Sequence, residues 1–177
     1  MTKDDILNSA IKIIEEEGFD RLTLSSLADA LGVRKPSIYH HFASKDEIIS
    51  ELYGKARKLL RKHTFRVDFT KDAEEVLRAV YLHWEAIWND EDIRPYLSFL
   101  SQRESVDDEA YEILSSLRLM IEAQSDAVIE NLAERKKLVA EDKKFLSFLF
   151  SSAAMAELKN EERDHDFTRS FARLFSH

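Results

Sequence analysis

Apolar side chains in the first 60 residues recur at helical spacing, broken at Gly18 and Gly32, and the pattern predicts a series of short helices. Ile6, Leu7, Ala10, Ile11, Ile13 and Ile14 form one stripe, which places a helix from about Lys3 to Glu17 with Thr2 and Asp5 as its cap. Gly18 ends it, and Phe19 and Leu22 can fold back onto the stripe. Leu24, Leu27, Ala28 and Leu31 follow at i, i+3, i+4 and i+7, directly behind Thr23, whose hydroxyl suits an N-cap. Gly32 closes this second helix, because glycine takes the left-handed conformation without steric cost, and Val33 plugs the corner. Pro36 suits the first turn of a third helix that begins near Lys35. Ser44 and Glu47 have capping-box spacing at the start of a fourth, striped by Ile48, Ile49, Leu52, Tyr53, Ala56, Leu59 and Leu60.

Further along, residues 65–70 read as a linker, and Asp72 opens a helix carrying Val76, Leu77, Val80, Tyr81, Trp84, Ile87 and Trp88. Residues 89–92 break it, and Pro95 starts a short apolar segment through Tyr96, Leu97, Phe99 and Leu100. A helix of about seven turns begins near Asp107 and carries Ala110, Ile113, Leu114, Leu117, Ile121, Val128 and Leu132. Gln124 falls on that stripe, where a buried amide needs partners, so it either pairs with a neighbouring helix or lines a cavity. Residues 145–156 are apolar or small nearly all the way round, a pattern of burial on more than one side. Phe167, Phe171, Leu174 and Phe175 then place an apolar stripe on a last helix. The fold class is all-α.

The chemistry concentrates between Thr23 and Lys45. With Ile38 and Phe42 turned toward the second helix, Arg34, Lys35, Ser37, Tyr39, His40 and His41 point outward, a face of donors, cations and aromatics without a carboxylate. A helix, a tight turn and a short polar-faced helix make a helix-turn-helix, whose second helix has the diameter to enter the DNA major groove. A plain helical hairpin with a polar outer side would share the pattern, but the charge distribution favours DNA. Residues 21–63 hold nine Lys or Arg against four Asp or Glu, whereas residues from 64 onward hold fifteen against twenty-four. An acidic protein, net charge −8, with one basic patch should meet a polyanion through that patch. The cations at the end of the fourth helix, Lys55 to Lys62, suit the negative end of the helix dipole and are read as structural.

Thr23, Leu27-Ala28, Leu31-Gly32-Val33, the Ile38-Tyr39-x-His41-Phe42 core and Ser44-Lys45-Asp46-Glu47 resemble the tetracycline-repressor (TetR) family of bacterial transcriptional regulators. The resemblance covers about the first third of the chain; one departure is Arg34, where many members have a small capping residue. It implies a three-helix DNA-binding domain over residues 1–47 and a helical effector-binding and dimerisation domain over 48–177. It also implies a repressor released from a palindromic operator by a small-molecule effector. Arg34, Lys35, Pro36, Ser37, Tyr39 and His40 would then face the major groove, while Thr23, His41 and Lys45 hold phosphates. Dimerisation in the family pairs the last two helices with their twofold copies. Here that assigns Phe145, Phe148, Leu149, Ser152, Ala153, Ala156, Phe167, Phe171, Leu174 and Phe175 to the interface, with a purely intrachain core as the alternative. Tyr81, His83, Trp84, Trp88, Phe99, Tyr111, Met120 and Gln124 are the candidate pocket residues, suited to an apolar or aromatic effector.

Other classes find less support. No cysteine is present, which removes disulfides and thiolate chemistry. The chain has no Gly-rich phosphate loop, nucleophile elbow or zinc-helix motif, so an enzyme is not expected, and neither is a cofactor. His40 and His41 would point about 100° apart on a helix, which disfavours a metal site. Nothing reads as a signal peptide, and the longest apolar-rich stretch, residues 145–158, is too short to span a bilayer, so the expected location is cytoplasmic without membrane attachment. Two rivals remain: a helical small-molecule sensor with a non-functional DNA head, which predicts ligand affinity without salt-dependent DNA binding, and a helical enzyme acting in the aromatic pocket.

Overall fold

A computed structural model describes residues 1–63, 65–136, 140–159 and 167–175, excluding the side chains of 136, 140, 141, 157–159 and 167. Among the described residues the regular elements are all helical: α1 (Lys3–Glu17), α2 (Leu24–Ala30), α3 (Lys35–Tyr39), α4 (Lys45–Leu60), α5 (Ala73–Asn89), α6 (Arg94–Arg103), α7 (Asp108–Lys136), α8 (Ala140–Lys159) and α9 (Phe167–Ala172). Short 3₁₀ turns occupy Phe19–Arg21 and Arg173–Phe175. The chain packs as two units, Met1–Lys62 with Asp90–Ser115, and His63–Asn89 with Ser116–His177.

In the first unit, local chemistry sets the helix ends. Thr2 and Asp5 cap α1 reciprocally: the Asp5 amide donates to Thr2 Oγ1 at 3.1 Å and the Thr2 amide to Asp5 Oδ2 at 2.7 Å. Gly18 ends α1 at φ +93° and ψ 160°, a region open in practice only to glycine. Thr23 caps α2 in the same reciprocal way, with Ser26 as the partner. The turn that follows is a complete Schellman motif: Val33 N–H donates to Ala28 O at 2.9 Å and Gly32 N–H to Asp29 O at 3.1 Å, with Gly32 at φ +65°.

The cap of α4 departs from the expected capping box. Ser44 Oγ accepts from the Glu47 amide at 3.2 Å, as expected, but the Glu47 carboxylate accepts from Ala43 N–H at 2.7 Å rather than from Ser44. Its other oxygen lies 3.5 Å from Lys3 Nζ, so tertiary charge and the neighbouring donor together draw the side chain one residue back. The basic end of α4 is partly neutralised within the unit, where Lys55 lies 2.7 Å from Asp4 and Arg57 pairs with Glu109. Leu22, Leu27, Ile38, Phe42, Ile48, Leu52, Phe99 and Leu100 are fully buried and make the core of this unit.

The second unit is built around a run of rings. Trp84 on α5 lies 5.4 Å from Phe150 on α8, Phe150 lies 5.0 Å from Phe171 on α9, and Phe171 lies 6.3 Å from Phe175. Asp72 caps α5, accepting from the Glu75 amide at 2.9 Å. Small polar side chains join α7 to α8. Ser125 Oγ donates to Ser147 O at 2.9 Å, and Ser147 Oγ lies 3.1 Å from Ser125 Oγ and also meets Asp126. Both serines are buried, so sliding α8 along α7 would strand hydroxyls without partners. Arg135 holds the 65–72 linker through the carbonyls of Phe69 and Lys71.

Candidate functional site

The turn between α2 and α3 decides which side chains of the third helix are presented. Ile38 and Phe42 lie at 0 % exposure, which roots α3 against α2 and fixes its rotation. Arg34, Lys35, Pro36, Tyr39 and His40 are consequently exposed, Tyr39 at 51 %, while Ser37 and His41 are half-buried. Arg34 stands at the N-cap position with extended backbone, and its exposed side chain, which has no acceptor atom, forms no cap. Pro36 occupies the first turn, where no intrahelical donor is lost. Residues 34–42 thus present two cations, a phenol, a hydroxyl and imidazoles with no carboxylate among them. Thr23 is exposed at the start of α2, and its hydroxyl already serves the cap through Ser26. Lys45 opens α4 half-buried, with Nζ 4.4 Å from the centre of the Phe19 ring.

Sequence reasoning missed the neighbours of Lys45. Phe19 also lies 4.1 Å from the Arg103 guanidinium carbon, and its amide donates to Gln102 Oε1 at 2.9 Å. Burial depresses the Lys45 ammonium below its ordinary range, and the Arg103 charge adds to that shift. No local signal announces these contacts, since Gln102 and Arg103 lie more than 80 residues from Phe19 in the chain.

The candidate pocket residues separate. Phe99 is taken up in the core of the first unit, stacked on Tyr53 with ring centres 5.0 Å apart, and Tyr111 is 55 % exposed on the first turns of α7. Both assignments to a pocket are therefore corrected: the hydrophobic pattern identified helix faces but not the neighbour each face meets. In the second unit Tyr81 and Trp84 are buried, and His83, Trp88 and Met120 are half-buried. Gln124 resolves to the paired alternative, with Trp84 Nε1–H donating to Gln124 Oε1 at 2.6 Å. His83 Nε2 is buried without a hydrogen-bond partner among the described residues, and the ring meets Phe65 edge-on at 5.3 Å. Burial lowers the His83 pKa, with the charge of His63 contributing.

The Trp84 to Gln124 bond makes a direct prediction. Trp84→Phe keeps a ring against Phe150 but strands the Gln124 carbonyl, and should cost about 1–3 kcal/mol, read as a lower urea midpoint. Adding Gln124→Leu should recover part of the loss, because an apolar pair leaves no orphaned acceptor.

The residues assigned to a dimer interface also divide. On α8, Phe145, Phe148, Leu149, Ser152 and Ala156 are exposed and Ala153 is half-buried. On the last helix Phe171 and Phe175 are buried in their own unit against Phe150, so the expectation that they form a free stripe is corrected; Leu174 is exposed. The side chain of Phe167 lies outside the described residues. None of the described helices is long and apolar enough to cross a membrane, and no group of three or more metal-ligating side chains occurs among the described residues.

These features define a helix-turn-helix protein with an additional all-helical unit. Residues 6–52 match the family described as bacterial regulatory proteins, tetR family. The HTH-type transcriptional repressor KstR2 of Mycobacterium tuberculosis is 33 % identical over 87 residues, which are 48 % of this chain and 44 % of that protein. The chain thus matches less than half the length of this curated relative. Among solved structures, the TetR family regulator PfmR from Thermus thermophilus has a TM-score of 0.61 at 22 % identity, covering 99 % of this chain and 95 % of that one. AibR, solved in complex with isovaleryl coenzyme A and operator DNA, has a TM-score of 0.60 at 16 % identity, covering 97 % and 94 %. At these identities the structural likeness establishes the fold.

Proposed function

We propose that the protein is a homodimeric operator-binding transcriptional regulator, a repressor released by a small-molecule effector. The observation that carries this reading is the outward face of α3, rich in donors, free of carboxylates, and fixed in rotation by Ile38 and Phe42 at 0 % exposure. Arg34, Lys35, Pro36, Ser37, Tyr39 and His40 read base edges in the major groove, and Thr23, His41 and Lys45 hold the flanking phosphates. Residues 1–47 act as the DNA-binding head and 48–177 as the effector and dimerisation domain. Two heads on a twofold axis require a palindromic site with half-sites about one helical turn apart. The repressor relative and the operator-bound AibR neighbour support this reading over a sensor with a non-functional head.

Effector binding belongs to the second unit, where Tyr81, Trp84 and Trp88 suit an apolar or aromatic compound. Bound effector lowers operator affinity, and by linkage operator DNA lowers effector affinity by the same factor. The chain has two tryptophans, Trp84 and Trp88, both on α5, so intrinsic fluorescence reports on this region directly.

The test begins with selecting a duplex from a randomised pool with the whole protein, then titrating it by fluorescence anisotropy at fixed salt. Tyr39→Ala combined with Lys45→Ala should lower affinity about tenfold to a hundredfold. Unchanged affinity in the double variant would remove the recognition assignment, and failure to select any duplex would remove DNA binding itself.

A further inference from the structure

The first unit contains a cluster that the recognition face does not explain. The Phe19 ring is shared by two cations, Lys45 Nζ at 4.4 Å and the Arg103 guanidinium carbon at 4.1 Å from its centre. Two like charges gathered on a partly buried ring repel each other, and the negative π-face offsets that repulsion for both. Lys45 is the first residue of α4, whereas Arg103 is the last residue of α6, outside the helix-turn-helix.

Each member is held independently. Arg103 Nη2 donates to Asp107 Oδ2 at 2.8 Å, which anchors the guanidinium to the start of α7. Gly18, at φ +93°, turns the chain so that the Phe19 amide donates to Gln102 Oε1 at 2.9 Å. The ring continues into a stack, 6.2 Å from Phe99, which lies 5.0 Å from Tyr53. Phe19 is therefore fixed through its backbone by one residue of α6 and contacted on its ring by the next. Lys45, by contrast, is a flexible four-carbon chain whose resting place is that ring.

We propose that Phe19 is the positioning residue for the phosphate contact of Lys45, and that Arg103 acts on that contact through Phe19. The inference rests on the DNA-binding reading and extends it to residues outside the recognition face. An ammonium held against a ring starts from one place, so it loses less rotamer freedom when a phosphate arrives than a lysine that samples solvent. Arg103 keeps the ring oriented, which makes the end of α6 part of the phosphate site without touching DNA.

Double-variant cycles on the whole protein test this, using the duplex that the wild-type protein selects from a randomised pool. Phe19→Leu keeps apolar bulk but removes the π-face, and should lower affinity about threefold to tenfold and reduce the log–log salt slope by up to about 1 per head. In a Lys45→Gln background the same change should have no further effect on affinity beyond about twofold. Phe19→Trp, which retains a π-face, should restore most of the affinity. Arg103→Gln should lower affinity about twofold to fivefold, and its effect should vanish in the Phe19→Leu background.

Additive losses for Phe19→Leu and Lys45→Gln would overturn the proposal, because a ring that merely stabilised the head would weaken binding whether or not Lys45 were present. Equal affinities for wild type and Phe19→Leu would overturn it as well. Should Phe19→Leu fail to fold, Arg103→Gln measured with and without Lys45→Gln carries the same cycle, and additivity there has the same meaning. If the wild-type protein selects no duplex, the DNA-binding reading falls and takes this inference with it; if it does, the cycles judge the inference alone.

Discussion

Replacing Phe145 and Phe148 together with glutamate should leave the chain monomeric and lower its affinity for the selected duplex by about 10²- to 10⁴-fold. Successive residues of a helix are rotated by about 100°, so Phe145, Phe148, Leu149, Ser152 and Ala156 share one sector of α8. Ser147, Phe150, Ser151 and Ala154 share the opposite sector and are buried within the unit. The two phenylalanines are left 64 % and 68 % exposed, each with a large apolar surface facing water. Patches of that kind on a helix face mark a partner surface, and a twofold copy supplies a complementary one.

On the proposed dimer, losing the pair would convert two tethered heads into two independent ones. The second head then no longer binds at the high effective concentration set by the first, which accounts for the size of the expected loss. Light scattering at micromolar concentration gives the mass, and anisotropy gives the affinity. A wild-type chain that is already monomeric, or a double variant that remains dimeric, would remove α8 from the interface.

The second large effect is on stability. Phe42→Ala should cost about 3–5 kcal/mol, a substantial part of the roughly 5–15 kcal/mol typical of a folded domain. Phe42 is fully buried behind α3, with Lys3 Nζ 4.7 Å from its ring centre, and its amide donates to Ile38 O at 3.0 Å. Removing the ring leaves a cavity where α3 is rooted, so the rotation that presents Arg34, Lys35 and Tyr39 is lost with the packing. Urea unfolding followed by far-ultraviolet circular dichroism should show the drop in midpoint. A midpoint within experimental scatter of the wild type would mean that α3 is held by something other than this side chain.

Much of the head was legible from residues close together in the chain. Gly18 and Gly32 stand where the backbone takes positive φ, and Thr2, Thr23 and Ser44 stand where three helices begin. At the basic end of α4, read from the sequence as serving the helix dipole, carboxylates at Asp4 and Glu109 engage two of the cations. Apolar spacing likewise marked which face of each helix would be buried. It failed on the identity of the partner: Phe99 meets Tyr53, Phe171 meets Phe150, and Gln124 meets Trp84.

By itself, the sequence determined the helices, their ends, and a recognition face without carboxylates, because caps, glycine turns and helical periodicity act over a few residues. Only the tertiary structure decided that Glu47 reaches back to Ala43, that Trp84 satisfies Gln124, and that Phe19 gathers Lys45 and Arg103. Apart from the Glu47 contact, those pairings join side chains 26 to 84 residues apart, and for Glu47 the distant Lys3 selects among local donors. Such contacts depend on where helices cross, and spacing along one helix carries no information about the residue that arrives from another.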